Sequence, residues 1–146
     1  MLSLLFLSPL LAPAAPVANP GQKAVIQTDA AVNAVAYAPD GKTLVTGGAD
    51  RTVRVWDAAS AKELRTLAGA TGSVLAVAVS PDGHSVAAGG DGSLRVWLLS
   101  SGQPVNVVFS GFGKGDAPRG LAFAAPDGRQ LAAAGTDGVL SIFEAL

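Results

Sequence analysis

The chain is 146 residues long and 49% hydrophobic, enough for one ordinary domain with a core, but only 5% aromatic, so that core has to be built from Val, Leu and Ala. Ten basic residues against eleven acidic ones leave a formal net charge of −1, which argues against a nucleic-acid footprint. With no cysteine there is neither a disulfide nor a thiolate metal site, and the redox compartment stays open.

Residues 1–20, MLSLLFLSPLLAPAAPVANP, differ in composition from everything after them. Positions 2–12 form an uncharged, largely apolar run that contains Pro9, and small residues with Pro13, Pro16 and Pro20 follow it. That run falls short of the about twenty residues that span a bilayer. A secretory signal peptide fits better, with Ala12-Pro13-Ala14 as a small-x-small signal for cleavage before Ala15, although no Lys or Arg precedes the apolar run. Export to a periplasmic or extracellular compartment is the expectation; the alternatives are an uncleaved tether or a cytoplasmic protein with a wrongly assigned start.

One turn punctuates the remainder. Pro39-Asp40-Gly41 returns as Pro81-Asp82-Gly83 and Pro126-Asp127-Gly128, 42 residues (39 to 81) and 45 residues (81 to 126) further on. Pro pre-sets φ, Asp bonds its own backbone and Gly accepts positive φ, so each copy marks a tight turn between short strands. Recurrence at this period signals a stacked repeat architecture. Ahead of the first full repeat, Ala24-Val25-Ile26 predicts a short strand. Strands are then expected at 32–37, 43–46, 52–57 and 63–67 in the first repeat, and at 74–80, 85–88, 93–98 and 104–109 in the second. The third repeat has them at 121–124, 130–134 and 139–143, with no fourth before Leu146. Asp50 precedes Trp56 by six residues, as Asp91 precedes Trp97 and Asp137 precedes Phe143. Between the second and third repeats, SGFGKGDAPR at 110–119 holds three glycines and a proline and reads as a loop.

The three Pro-Asp-Gly turns, the Gly-Gly-x-Asp or Gly-x-Asp turns, and the strand Val53-Arg54-Val55-Trp56-Asp57, which becomes Leu94-Arg95-Val96-Trp97-Leu98, resemble the WD-repeat β-propeller family over residues 21–146. The resemblance implies an all-β fold: β-propeller blades of four-stranded antiparallel sheets, three repeats at about 29–69, 70–115 and 116–146, in a ring that one chain leaves incomplete. It also implies a hydrogen-bond chain in each blade, from a turn Asp (Asp50, Asp91, Asp137) through a His and a Ser or Thr to the Trp (Trp56, Trp97). Thr46 can supply the hydroxyl, whereas the matching Ala87 and Ala133 cannot, and Gly69 is followed by Ala70 where the family carries His. The family's ring closure implies that strand 23–28 completes a last blade. Two readings follow. The chain is a piece of a larger propeller protein or exported multidomain enzyme with no independent activity, or two chains pair head to tail as a homodimer closing a six-bladed ring.

Catalytic chemistry finds no foothold in these residues. His84, the one histidine, sits in a turn where the other repeats carry Lys42 and Arg129, so neither a zinc ligand set nor a Ser/His/Asp set is expected. Asp40, Asp82 and Asp127 read as turn formers. Around Gly111-Phe112-Gly113-Lys114-Gly115, a phosphate loop would need a glycine where Val108 stands and a hydroxyl where Gly115 stands. Arg54 and Arg95 are expected to stack along their tryptophans or to reach a neighbouring blade's carboxylate. No catalytic residue, cofactor or metal is therefore expected, and no membrane span. As the resemblance implies, the function expected is that of a non-catalytic protein-interaction scaffold. Loops at 29–31, 70–72 and 112–119 make the expected binding face, with Phe112, Lys114, Asp116 and Arg119 as candidate partner-binding residues.

Overall fold

The computed structural model describes residues 20–90, 93–110, 112 and 116–145, with the backbone alone for 106–110. Among the described residues, eleven strands follow one another with no helix between them. The first sheet holds β1 (Val32–Tyr37), β2 (Thr43–Gly48), β3 (Val53–Asp57) and β4 (Lys62–Leu67) in sequence order. The second repeats the order with β5 (Ala76–Val79), β6 (Ser85–Gly90), β7 (Ser93–Leu98) and β8 (Pro104–Ser110). The third holds β9 (Pro118–Phe123), β10 (Gln130–Gly135) and β11 (Leu140–Glu144). All pairings are antiparallel, as expected for neighbours joined by tight turns. Among the described residues the three sheets form no closed ring.

The expected strand at 24–26 is not formed: residues 22–28 adopt no strand, and among the described residues β11 has no fourth neighbour. The reason is positional. Residues 22–28 precede the first sheet, and the second sheet stands between that sheet and the one carrying β11.

Each sheet presents two faces, because side chains alternate along a strand. From the first sheet, Val45, Val53 and Val55 pack against Val74, Val77, Val86 and Trp97 of the second. From the second, Ala87, Leu94 and Val96 pack against Leu121, Leu131 and Phe143 of the third. Burying a Val or Leu side chain completely is worth roughly 1.5–3 kcal/mol. A hydrogen bond nets only about 0.5–1.5 kcal/mol, so the inter-sheet faces dominate the stability.

Two glycines set how closely the sheets approach. A Cβ on Gly47 would stand 2.4 Å from Val74 Cγ1 and 3.0 Å from Val77 Cγ1. On Gly89 it would stand 2.4 Å from Pro118 Cγ. Both occupy the same register position, since Gly47 pairs with Val53 and Gly89 with Leu94. The absent side chain lets the next sheet's first strand lie directly on the backbone.

The tryptophans fasten each sheet differently. Trp56 Nε1 donates to Thr46 Oγ1 at 2.9 Å in a buried site, as the sequence suggests. Trp97 has no such hydroxyl. The register puts Ala88, not Ala87, opposite Arg95 as Thr46 lies opposite Arg54, because the β6–β7 turn is one residue shorter than the β2–β3 turn. Trp97 Nε1 instead donates to the Ala68 carbonyl at 2.8 Å, in the connector between the first two sheets. Phe143, opposite Leu131 as Trp56 is opposite Leu44, has no donor and relies on packing.

Replacing Gly47→Ala is expected to lower stability by about 1–3 kcal/mol, as overpacking of a close contact does; a urea unfolding midpoint unchanged from the parent chain would contradict the close approach. Thr46→Val keeps the shape of the side chain but leaves the buried Trp56 donor unsatisfied, at an expected cost of about 1–3 kcal/mol in the same assay.

Candidate functional site

Antiparallel order fixes which turns share a side. The β2–β3, β6–β7 and β10–β11 turns lie on the same side as the two inter-sheet connectors, and the Pro-Asp-Gly turns lie on the other. The first side is built around aspartates. Asp50 accepts from the Thr52 hydroxyl at 2.6 Å and the Thr52 amide at 3.3 Å, and its other oxygen lies 2.8 Å from Arg54 Nη2. The Thr52 hydroxyl, helped by Arg54, holds the Asp50 carboxyl below its ordinary value against the opposing effect of burial. A Cβ on Gly48 would stand 2.4 Å from Asp50 Oδ1, so the glycine before the aspartate makes room for the carboxylate. Asp137 repeats the pattern, accepting from the Val139 amide at 2.9 Å, with Gly135 clearing the same space. Asp91 lies outside the described residues.

Arg54 does not reach a neighbouring sheet. Its guanidinium stays within its own sheet, between Asp50 and Glu63, the latter 3.7 Å from Nε. Arg95 crosses over: its Nη1 lies 3.2 Å from where a Gly69 Cβ would stand, against the preceding connector. In the third sheet the matching position is Ser141, opposite Ala133.

Of the four candidate partner-binding residues, Phe112 and Asp116 each contact the third repeat, at different places. The Phe112 ring lies 6.2 Å from that of Phe143, tilted by 60°, and packs on the cluster between the second and third sheets. Asp116 accepts from the Thr136 hydroxyl, tying the connector to the β10–β11 turn. Arg119 is exposed on β9, and Lys114 lies outside the described residues. Sequence reasoning missed the clamps between elements: Asn33 Nδ2 donates to the Val74 carbonyl at 3.0 Å and to Ser73 Oγ at 3.2 Å, and Thr71 Oγ1 lies 3.2 Å from Ser93 Oγ. An Asn placed at a bulge in an otherwise apolar strand was the available signal for the first of these.

On the opposite side, Asp40 accepts from the Lys42 and Thr43 amides at 2.8 and 2.9 Å and from the Thr43 hydroxyl, which together lower its pKa. Asp82 is lowered chiefly by the Ser80 hydroxyl, then by the His84 amide. These carboxylates are engaged in forming turns. Among the described residues, no group of three His, Cys, Asp or Glu side chains could hold a metal ion, and no helix is long and apolar enough to cross a membrane.

Comparison with known proteins agrees with this geometry. The model of the WD domain, G-beta repeat, matches residues 22–57 and 61–97. The small ribosomal subunit protein RACK1y of Oryza sativa subsp. japonica is 43% identical over 75 residues, which make up 49% of this chain and 22% of that protein. The corresponding RACK1 of Schizosaccharomyces pombe is 44% identical over 118 residues, 77% of this chain and 37% of the relative. The solved structure of U3-55K shares the fold at a TM-score of 0.75 and 22% identity, over 82% of this chain and 37% of that one. This chain thus spans well under half the length of each. The family model covers half of the chain, over sheets whose strand order and register repeat, and the chain belongs to the WD40 repeat family.

Proposed function

We propose that the chain is a non-catalytic, exported protein-interaction module whose binding face is the side bearing the connectors and the aspartate turns. WD40 repeats commonly serve as protein-interaction scaffolds, and this side carries the features such a role needs. Its loops are tied to a rigid sheet stack: Asn33 clamps one connector, and Asp116 with Thr136 clamps the other. The single observation that carries the reading is the second of these, because it ties Asp116 to the β10–β11 turn rather than leaving that residue to order on binding. Phe112, half-buried against Phe143, anchors that connector, while Lys114, Asp116 and the exposed Arg119 offer the polar contacts. Export rests on the apolar, uncharged stretch at 2–12 with its small-residue cleavage signal.

The test is chemical cross-linking in the source cells, followed by mass spectrometry of what is captured by the parent chain and by a Lys114→Glu, Arg119→Glu double variant. A partner held by this face is expected to be recovered at least about ten-fold less with the variant, a loss of about 1.4 kcal/mol or more in binding, while the far-UV circular dichroism stays the same. Equal recovery by both chains would refute the assignment of the face.

A further inference from the structure

Among the described residues, the two ends of the sheet stack are open, and they match. Cross-strand register places Val53 and Val55, Leu94 and Val96, and Leu140 and Ile142 at the same positions of the third strand in successive sheets. The first two pairs are at most 2% exposed, under the following sheet; Leu140 and Ile142 are each 66% exposed. At the other end, Val32 and Val35 occupy the positions that Val74 and Val77 hold in the second sheet. Val74 and Val77 are 1% and 9% exposed beneath the first sheet, whereas Val32 and Val35 are 47% and 61% exposed.

Two finer features repeat along the stack and stop at its ends. The small residue that receives the next sheet is Gly47, then Gly89, then Ala134, and Ala134 is exposed. On the far side, the Pro-Asp-Gly turns form a ladder. Pro39 Cδ lies 3.8 Å from where a Gly83 Cβ would stand, and Pro81 Cδ lies 3.2 Å from the same point on Gly128. Pro126 at the end of that ladder is exposed, and Gly41 at its beginning has no atom within 4 Å of its Cβ position. A depression of 240 Å³ lined by Ala122, Phe123, Ala132 and Ile142 opens on the third sheet. Tyr37, 63% exposed, stands at the first sheet's counterpart of Val79 and could fill it.

We propose that a second copy of this chain packs head to tail on these faces: the third sheet of each chain receives the first sheet of the other, and two chains close a ring of six sheets. The contact continues the two interfaces already present in the chain: Ala134 stands where Gly47 faces Val74 and Val77 and where Gly89 faces Pro118 and Leu121, its methyl keeping the incoming Val32 and Val35 farther from the backbone than those glycines do. A head-to-tail contact is heterologous and must either close or run on as a filament, and rings of about four to eight such sheets are the stable closed forms. These faces are distinct from the loop side proposed to bind a partner, so either proposal can fail without the other.

Light scattering on the full chain after size exclusion is expected to give twice its 14.4 kDa mass. A monomer, or an open-ended series of larger species, would overturn the proposal. Proximity is tested separately with a Val32→Cys, Ala134→Cys double variant, clean because the chain has no cysteine of its own. Within the chain the Cβ position of Gly47 would be 3.1 Å from Val74 Cβ, and across the copies the real Cβ of residue 134 sets the matching pair slightly farther apart, toward the about 3.5–4.5 Å Cβ separation of a disulfide. Under mild oxidation most of the double variant is expected to run as a covalent dimer on a non-reducing gel, and less than about a tenth of either single variant. Equal cross-linking of single and double variants would also overturn it.

Discussion

The close approach of each sheet's first strand to the glycine at the end of its neighbour's second strand governs the rest of this molecule. At Gly47 and Gly89 there is no room for even a methyl group, because Val74 and Pro118 occupy the space. With that spacing fixed, the β-branched and leucine side chains on facing sheets interlock, and a chain with few aromatics still builds a dense core of Val, Leu and Ala. Dense packing of this kind tolerates neither added nor missing volume. The polar groups have the lesser task of closing the hairpins without leaving buried donors unmet.

That division of labour explains why the family's polar network can erode without loss of the architecture. In the first sheet Trp56 reaches Thr46; in the second Trp97 finds a backbone carbonyl instead; in the third Phe143 needs no acceptor. The turn aspartates persist because their carboxylates serve the local backbone, as Asp50 does for Thr52 and Asp137 for Val139. An acceptor within two residues survives changes elsewhere in the sheet. On the loop side, these turns and the clamps at Asn33 and Asp116 tie the described loop residues to the sheets.

Much of the fold was legible because turn chemistry is local. The strands at Val32–Tyr37 and Ser93–Leu98 coincide with their expected bounds, and the Trp56–Thr46 bond is the one that the family resemblance implies. The second strands run further than expected, to Gly48, Gly90 and Gly135: glycines that read as turn residues are strand residues whose missing side chains make room for a neighbouring sheet or a turn carboxylate. Counting back from Asp91 gave Ala87 in place of Ala88, because a turn one residue shorter shifts the register and a spacing rule cannot detect it. The completion of a last blade by 23–28 was implied by the family's ring closure, and within the chain residues 22–28 form no strand. Of the candidate site, Phe112 has its ring on a core cluster, and the link from Asp116 to Thr136 depends on a contact between segments twenty residues apart that no local pattern announces.

If faces rather than networks hold the stack, no sheet is stable without its neighbour, and the chain unfolds as one unit. The two tryptophans sit in different sheets, Trp56 in the first and Trp97 in the second, so each reports on its own. The direct measurement is urea unfolding of the single-tryptophan variants Trp56→Phe and Trp97→Phe, followed by fluorescence and far-UV circular dichroism together. The account predicts that in each variant both signals share one midpoint, whichever tryptophan remains. A tryptophan transition separated from the loss of strand structure, with one sheet melting while the other persists, would contradict it.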